Sequence, residues 1–329
     1  MDWTGKRVLV TGAGGFIGSH LVEAIAKRGG TVRAFVHYNS RGDAGLLSLL
    51  PREVLRQLEI IPGDLRDSRA VTQVVDGASI VFHLGAVISI PYSYVHPYEV
   101  AQTNFLGTLN VLQACRDCGV DRLVHTSSSE VYGTALQVPI DEYHPLQGQS
   151  PYSASKIGAD KLVESYHRAY GLPVVTLRPF NTYGPRQSAR AVVPTIVTQA
   201  LAREVVRLGN TEARRDLTFV SDTVDGFLKV AETPGVEGMV FNLGSGSDIS
   251  IAELAQRIMR LIGRPREIVI ETERKRPERS EVDQLVADNT LARERLGWEP
   301  RITLEDGLRR TIDWVSDHLY LYDVHTYKI

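Results

Sequence analysis

Apolar residues along the first half of the chain follow two alternating patterns. Short runs rich in β-branched residues, which are typical of buried strands, lie at 6–11, 31–36, 58–62, 79–84, 122–127 and 174–178. Apolar residues with helical spacing lie between several of these runs, at 16–28, 100–118 and 154–170. Strands that alternate with helices of this length predict right-handed crossovers and a mostly parallel sheet with helices on both faces. The pattern therefore predicts an α/β, doubly wound fold.

The regular alternation ends after Pro179. Beyond that point the predicted helices span 192–203, 223–232, 251–262 and 304–318, and the predicted strands span 217–220 and 239–243. A chain of 329 residues exceeds what one hydrophobic core usually supports, so two unequal units are expected. We predict a larger domain over 1–180, joined by the segment at about 217–243, and a smaller C-terminal lobe formed mainly by 181–329.

Charge and composition narrow the class of protein. The chain has 37 Lys and Arg against 39 Asp and Glu, which gives a formal net charge of −2. This balance argues against binding to nucleic acid or to a membrane surface, because both need a strong field of one sign. The sequence holds no apolar run long enough to span a bilayer, and its first residues lack the order of a secretory signal. We therefore expect a cytoplasmic protein.

The only two cysteines, Cys115 and Cys118, form a C-x-x-C pair. Redox pairs of this spacing lie at the N-terminus of a helix, where the helix dipole favours the thiolate. Here the pair lies near the end of a predicted helix, and no second pair is present to complete a zinc site. We predict a structural role for both cysteines and no bound metal.

A glycine-rich turn follows the first strand directly. Gly12, Gly15 and Gly18 give the pattern G-x-x-G-x-x-G, and Phe16 and Ile17 begin the helix that follows. Glycines at these positions permit a tight turn and a close approach of the backbone to a pyrophosphate, whose charge is met by N–H groups of the helix N-terminus. Because the motif stands between a strand and a helix, it predicts a Rossmann-type site for a dinucleotide.

The ends of the second and third strands bear on the choice of cofactor. An NAD site usually offers an acid to the ribose after the second strand, but this chain has His37, Ser40 and Arg41 there. Because Ser40 and Arg41 can bind a 2′-phosphate, NADP is favoured over NAD, although Arg41 as a solvated loop residue remains open. Asp64 and Leu65, after the third strand, are placed for the adenine edge, with a simple turn cap as the alternative for Asp64.

Tyr152 and Lys156 are four residues apart on a predicted helix and therefore share one face. A free phenol has a pKa of about 10. A neighbouring ammonium and a positively charged nicotinamide would stabilise the phenolate and make Tyr152 a usable base, provided that the pair is shielded from water. Together with the glycine turn, the pair predicts a hydride-transfer site.

These motifs resemble the extended short-chain dehydrogenase/reductase superfamily, and more narrowly its nucleotide-sugar 4,6-dehydratases. The resemblance also rests on the segments His83–Ala86 and Arg178–Pro185. Two further segments, Ile90–Tyr94 and Pro185–Arg190, are similar to the enzymes that act on nucleoside-diphosphate N-acetylglucosamine in legionaminic-acid-type pathways. The resemblance implies an NDP-hexose as the substrate, and foremost UDP- or GDP-N-acetylglucosamine.

The resemblance implies a lyase with an internal redox loop and a tightly bound cofactor that is regenerated in each turnover. Tyr152 would take the proton of the sugar 4-hydroxyl, Ser128 would hydrogen-bond that hydroxyl, and Lys156 would hold the cofactor ribose and lower the pKa of the tyrosine. Glu130 would remove the proton at C5. Glucose 4,6-dehydratases have an acid where this chain has Ser129. Ser129 could position a water or hydrogen-bond the leaving oxygen, or Glu130 could serve as both base and acid, and the identity of the acid stays open.

Related activities remain as alternatives. A C4-epimerase needs only the redox step at Tyr152, a nucleotide-glucuronate decarboxylase also has a Ser–Glu pair, and a non-catalytic NAD(P)-binding sensor is a distant third. Further cofactor contacts are implied at Leu84, Gly85, Ala86, Pro179 and Asn181. Contacts to the nucleotide sugar are implied at Asn181, Arg186, Arg215 and Arg276. The resemblance also implies a homodimer held by a four-helix bundle of the helices at 100–118 and 154–170.

Overall fold

The computed structural model describes residues 1–274 and 276–323. Its strands are β1 (Arg7–Thr11), β2 (Thr31–His37), β3 (Leu58–Gly63), β4 (Ile80–His83), β5 (Arg122–Thr126), β6 (Val174–Pro179), β7 (Asn181–Tyr183), β8 (Val205–Leu208), β9 (Arg214–Phe219), β10 (Val240–Leu243), β11 (Asp248–Ser250), β12 (Glu267–Ile270) and β13 (Gln284–Leu285). Among the helices of this described part, none is both long enough and apolar enough to cross a bilayer.

The α-helices of the described residues alternate with the strands in the first half and cluster in the second. They are α1 (Phe16–Lys27), α2 (Arg52–Leu55), α3 (Ser68–Val75), α4 (Ile90–Val95), α5 (Pro97–Ala101), α6 (Gly107–Cys118), α7 (Pro151–Tyr170), α8 (Val192–Ala202), α9 (Val220–Glu232), α10 (Ile251–Ile262), α11 (Thr290–Leu296) and α12 (Leu304–Asp317). The helix predicted over 100–118 is interrupted, because a π-helical segment, Gln102–Leu106, joins α5 to α6.

Seven parallel strands form the central sheet, in the order β10-β6-β5-β4-β1-β2-β3. The prediction of a doubly wound α/β fold is confirmed. Alternate residues of one strand enter the cores on opposite faces: Val8 and Val10 pack on the side of α1 and α9, and Leu9 packs on the side of α3, α6 and α7. The inner strands β1, β4, β5 and β6 are buried on both faces, which explains why they are mostly apolar, whereas the edge strand β3 is partly exposed.

The C-terminal lobe has sheets of its own. In one of them β9 pairs with β11 and β13 and also with β7, and in the other β12 pairs with β8. The strand predicted at 217–220 is therefore not part of the large sheet, whereas β10 completes that sheet beside β6. Between these strands, α9 packs against β5 and β6 of the large sheet. The division of the chain into a larger domain and a smaller C-terminal lobe stays a prediction.

The two cysteines lie at the C-terminal end of α6 as free thiols. Cys115 is fully buried in the core between α6 and the sheet, and this burial raises the pKa of its thiol. A high pKa leaves the thiol protonated and unreactive. The surroundings of Cys115 thus agree with a packing role.

Candidate functional site

The glycine turn between β1 and α1 is tightly packed. Gly12 has a φ of +68°, and a Cβ there would lie 2.7 Å from the backbone nitrogen of Gly85. Helix α1 starts at Phe16 with Gly15 as its N-cap; no side chain of the described residues caps it, and its first turn carries no acid. Free N–H groups without a competing carboxylate fit the pyrophosphate of a dinucleotide.

The end of β4 lies directly against the end of β1. The N–H of Gly85 donates to Thr11 Oγ1 at 3.0 Å, and the N–H of Leu84 donates to the Thr11 carbonyl at 3.3 Å. His83 is buried between Thr11 and Thr108, with its Nδ1 2.8 Å and its Nε2 3.0 Å from their hydroxyl oxygens. Leu84, Gly85 and Ala86 therefore border the glycine turn, and Thr11 is a site-forming residue that the motifs did not reveal.

The loop after β2 is open to solvent. His37, Ser40 and Arg41 are all exposed, and Asn39 shapes the loop by accepting hydrogen bonds from the N–H groups of Arg41 and Asp43 at 3.1 and 3.0 Å. The loop is thus built by Asn39, while the predicted phosphate contacts of Ser40 and Arg41 stay predictions.

The two residues predicted at the adenine edge differ in their surroundings. Asp64 accepts from the guanidinium of Arg66 at 2.6 Å, and these bonds hold the pKa of the carboxyl below its usual value. Leu65 is buried in the core beside α6. Asp64 therefore has a partner within its own turn, in agreement with the alternative prediction that it caps the turn.

Helix α7 carries Tyr152 in its first turn because the helix begins at Pro151. Ser150 and Ser153 form a reciprocal capping box that defines this start. The side chain of Tyr152 is only 7 % exposed, and Ser128, which follows β5, lies close enough for its hydroxyl to lower the pKa of the phenol. Tyr152 and Ser128 thus come together as the resemblance implies.

The pKa of Tyr152 departs from the expectation. Burial raises it to about 12, which outweighs the lowering by the Ser128 hydrogen bond, and the negative charges of Glu130 and Asp160 raise it further. Lys156, expected to lower this pKa, is not among the groups that act on the phenol. Its ammonium instead donates to the Thr126 carbonyl at 2.6 Å.

Burial lowers the pKa of Lys156 to about 8, and Asp160 opposes this decrease. The ammonium of Lys156 is therefore close to losing its charge near neutral pH.

Glu130 lies in a short 3-10 turn, Ser129–Tyr132, that follows β5 directly. Its backbone N–H donates to Ser128 Oγ at 3.2 Å, and its carboxylate accepts from Arg276 Nη1 at 3.5 Å. Arg215 is buried nearby and pairs with Glu281 at 3.4 Å, and the charges of both Glu130 and Arg276 act on it. Two of the predicted phosphate-binding arginines thus flank the predicted C5 base, while Ser129 is buried beneath the turn.

Arg186 is placed differently from the other arginines. Its Nη2 lies 2.6 Å from Glu23 Oε2 and 2.6 Å from His20 Nδ1, both on α1. It is also a non-glycine residue with a positive φ, at 68°. Arg186 therefore joins the C-terminal lobe to α1, and its guanidinium already has a carboxylate partner.

Pro179 ends β6, which lies between β5 and β10 in the large sheet, and Asn181 begins β7, which pairs with β9 outside that sheet. The side-chain Oδ1 of Asn181 is buried and has no hydrogen-bond partner within the described residues. A buried acceptor without a donor is costly, so a ligand that donates to it would stabilise this position. The orphan acceptor agrees with the predicted binding role of Asn181.

The motifs do not anticipate a buried charged network that lies one helical turn beyond Lys156. Asp160 pairs with Arg178 at 2.9 Å, and it also accepts from His125 and Ser127. The spacing of Tyr152, Lys156 and Asp160, four residues apart on one helix face, is the signal in the sequence that would have found it.

Comparison with known proteins gives consistent matches over nearly the whole chain. The sequence model of the family described as GDP-mannose 4,6 dehydratase matches residues 9–311. A UDP-glucose 4-epimerase of Mycolicibacterium smegmatis is 35 % identical over 314 residues, which cover 94 % of this chain and 98 % of the epimerase. The dTDP-D-glucose 4,6-dehydratase of Mus musculus is 30 % identical, covering 98 % of this chain and 91 % of the mouse protein.

A solved structure extends the comparison to three dimensions. The dTDP-glucose 4,6-dehydratase DesIV of Streptomyces venezuelae, with NAD bound, superposes with a TM-score of 0.85 at 28 % identity, over 96 % of this chain and 99 % of DesIV. With these matches and the glycine turn, Tyr152 and Lys156 in place, the chain belongs to the GDP-mannose 4,6-dehydratase type of nucleotide-sugar dehydratases and epimerases in the short-chain dehydrogenase/reductase superfamily.

Proposed function

We propose that this protein is a nucleotide-sugar 4,6-dehydratase, a hydro-lyase that converts an NDP-hexose to its 4-keto-6-deoxy sugar. The observation that carries the proposal is the position of Glu130. Its carboxylate lies in the turn that also presents Ser128, close enough to Tyr152 for its charge to act on the phenol. A dehydratase needs a base beside the tyrosine to take the C5 proton, whereas C4 epimerisation has no step for such a base.

The first task of the site is proton removal from the sugar 4-hydroxyl. Tyr152 accepts this proton as its phenolate, and Ser128 holds the same hydroxyl in line with it. Lys156, one helical turn further along α7, would hold the cofactor ribose, with its ammonium anchored by the Thr126 carbonyl at 2.6 Å. The nicotinamide cofactor, when bound, supplies the acceptor for the C4 hydride and later its donor to C6.

Glu130 carries out the elimination. Once C4 is a ketone the C5 proton is acidic, and the Glu130 carboxylate removes it. The same proton then leaves with the 6-hydroxyl as water, because Ser129 has no proton of suitable acidity to give. Glu130 therefore acts first as base and then as acid, and Arg276 Nη1 lies 3.5 Å from its carboxylate.

The cofactor fits the chain's own residues at the glycine turn. The uncapped N-terminus of α1 and the close contact of Gly12 with Gly85 leave the backbone, rather than side chains, facing a pyrophosphate. We propose NADP over NAD, since the loop after β2 offers Arg41 and no acid at its start. Replacement of exposed Arg41 by Ala should weaken NADP binding about tenfold and leave NAD binding unchanged, as measured by calorimetry.

We propose that the substrate is the UDP or GDP derivative of N-acetylglucosamine. Arg215 and Arg276 lie together where a diphosphate would be neutralised. The segment Ile90–Tyr94, on which the likeness to N-acetylglucosamine enzymes rests, is in contact with this region: Tyr94 Oη lies 2.5 Å from Ser280 Oγ. On this proposal 1–180 hold the cofactor and 181–329 hold most of the nucleotide sugar.

The decisive experiment is incubation of the purified protein with UDP- and GDP-N-acetylglucosamine, UDP-glucose and dTDP-glucose, followed by mass spectrometry. We expect loss of one water from an N-acetylglucosamine nucleotide, without net consumption of cofactor. In deuterated water the product should carry one deuterium at C5, because the proton that returns there comes from solvent. Loss of carbon dioxide from a nucleotide glucuronate would instead identify a decarboxylase.

Replacement of Glu130 by Gln separates the redox step from the elimination. The variant should still oxidise C4, so that reduced cofactor accumulates and absorbs in the near ultraviolet, while water loss falls at least a hundredfold. Replacement of exposed Glu53 by Gln is the matched control and should change neither signal. Full dehydration by the Glu130→Gln variant would refute the proposed role.

C4 epimerisation is the second candidate, and the 35 % identity to the epimerase of M. smegmatis favours it. An epimerase would return the nucleotide sugar at unchanged mass with an inverted C4 configuration. Nuclear magnetic resonance of the sugar distinguishes the two outcomes.

We also propose a homodimer formed by α5, α6 and α7. Helices α6 and α7 pack against each other, and exposed apolar side chains lie along this part of the surface, including Tyr98 at 75 % and Leu106 at 45 % exposure. Light scattering should give twice the mass of the chain, and the variant Leu106→Asp should give the mass of one chain. A monomeric wild-type protein would refute this assembly.

A further inference from the structure

A buried carboxylate lies one helical turn beyond the catalytic lysine. We propose that Asp160 is a positioning residue, which holds the end of β5 and the Lys156 ammonium in the arrangement needed for proton transfer at Tyr152. The proposal rests on the function proposed above and adds to it a group that does not touch substrate or cofactor.

The first observation is how Asp160 holds β5. Its Oδ1 accepts from His125 Nε2 at 3.2 Å, and its Oδ2 accepts from Ser127 Oγ at 2.8 Å. These residues flank Thr126, whose carbonyl accepts from Lys156 Nζ at 2.6 Å. Ser128, directly after Ser127, lowers the pKa of the Tyr152 phenol. One carboxylate thus fixes both sides of the carbonyl that orients the lysine.

The second observation is that the carboxylate is charged and well supported. Asp160 is 6 % exposed, and the guanidinium of Arg178 on β6 donates to its Oδ2 from Nη2 at 2.9 Å and from Nε at 3.2 Å. Burial raises the pKa of Asp160, but the His125 hydrogen bond and the positive charges of Arg178 and Lys156 outweigh it and lower the pKa to about 2. Asp160 is therefore ionised wherever the enzyme would work.

The third observation concerns the charges that face Lys156. On its own helix this is Asp160, on β5 it is His125, and on β4 it is His83. Burial lowers the pKa of both histidines below 6.5, so they are neutral above pH 7. Within the described residues Asp160 is thus the one group that favours the charged form of Lys156, whose pKa is about 8.

A carboxylate that only supports the fold would change stability without changing the titration of the site. A positioning residue for Lys156 would change it in a defined direction. Loss of the Asp160 charge removes the opposition to burial, so Lys156 becomes neutral at a lower pH. The alkaline limb of kcat against pH must then move to lower pH, because Lys156 loses at a lower pH the ammonium charge with which it would hold the cofactor ribose.

The test uses the variants Asp160→Asn and Asp160→Asn/Arg178→Gln. The double variant removes both buried charges, so that no unpaired ion is left and folding is retained. We expect the alkaline midpoint of kcat to fall by about one pH unit, a tenfold change in the protonation ratio of Lys156. Asp160→Glu keeps the negative charge, and its midpoint should lie closer to the wild-type value than that of Asp160→Asn. A folded double variant with the wild-type midpoint would overturn the role in charging Lys156.

The contribution of β5 is tested by Ser127→Ala, which removes one hydrogen bond and keeps the Asp160 charge. We expect kcat to fall severalfold at unchanged KM and unchanged alkaline midpoint. Ser165→Ala, an exposed serine on the same helix, is the matched control and should leave kcat unchanged. A Ser127→Ala variant with full kcat would overturn the positioning of β5.

The two proposals fail in different ways. Titration of the Lys156 ¹³Cε resonance, assigned with Lys156→Arg, needs no substrate and reports the effect of Asp160 directly. If the wild-type protein dehydrates no nucleotide sugar but the resonance titrates at lower pH in the double variant, the proposed reaction is wrong and the coupling of Asp160 to Lys156 holds. If dehydration is found and the resonance does not shift, the coupling is wrong and the reaction holds.

Discussion

Binding of the oxidised cofactor should lower the pKa of the Tyr152 phenol by more than one unit. In the structure burial raises this pKa to about 12, which is a cost of about 3 kcal/mol relative to a phenol in water. At neutral pH the phenolate is then disfavoured by roughly 7 kcal/mol, too much for an efficient base. The site therefore needs a further positive charge before Tyr152 can work.

The nicotinamide ring carries that charge. A unit positive charge about 5 Å from the phenolate contributes about 3 kcal/mol at an effective dielectric constant of about 20, which corresponds to roughly two pKa units. We therefore expect the phenol to titrate near pH 10 in the complex with oxidised cofactor and near pH 12 in its absence. The cofactor, more than the helical neighbour Lys156, would activate the tyrosine.

The assay is the ultraviolet absorption of tyrosinate during a pH titration, with and without oxidised cofactor. The difference between the wild-type protein and Tyr152→Phe isolates this one phenol among the tyrosines. Tyr170→Phe, at an exposed position of the same helix, is the control, and its difference signal should not respond to the cofactor. A Tyr152 midpoint that stays near pH 12 with bound cofactor would refute the electrostatic reasoning.

Three further outcomes follow from contacts in the structure. Gly12→Ala should lower the free energy of unfolding by about 1–3 kcal/mol and abolish cofactor binding. The alanine Cβ would lie 2.7 Å from the Gly85 nitrogen, and the backbone φ of +68° is strained for alanine. Unchanged cofactor binding by calorimetry would contradict this. Burial lowers the pKa of His20 to about 4, so the neutral imidazole contributes to the free energy of unfolding above pH 6.5, and this contribution should be lost as the pH falls towards 4. In urea unfolding, His20→Asn should lose less stability than the wild-type protein over the same pH range. Arg276→Met should raise KM for the nucleotide sugar at least tenfold, while a KM within twofold of the wild-type value would exclude the arginine from diphosphate binding.

The elements of the larger domain follow from local rules. The inner strands of its sheet are mostly apolar because they are buried on both faces. The start of α7 is defined by Pro151 and a serine capping box, which can be recognised from the sequence. The short strands of the C-terminal lobe could not be predicted in the same way. Strands β7, β11 and β13 have two or three residues each, and only their pairing with β9 makes them strands.

The same division applies to the site. The glycine turn and the Tyr152–Lys156 pair are local patterns, so the sequence alone determined the fold class and the family resemblance, and it predicted the central groups of the site. Tertiary structure decided their charge states and partners, because burial and long-range contacts set both. Only in the folded chain does Arg276 contact Glu130, Arg186 contact Glu23 on α1, and buried Asp160 act on the charge of Lys156. These contacts depend on burial or on residues far apart in the sequence, and a local sequence pattern encodes neither.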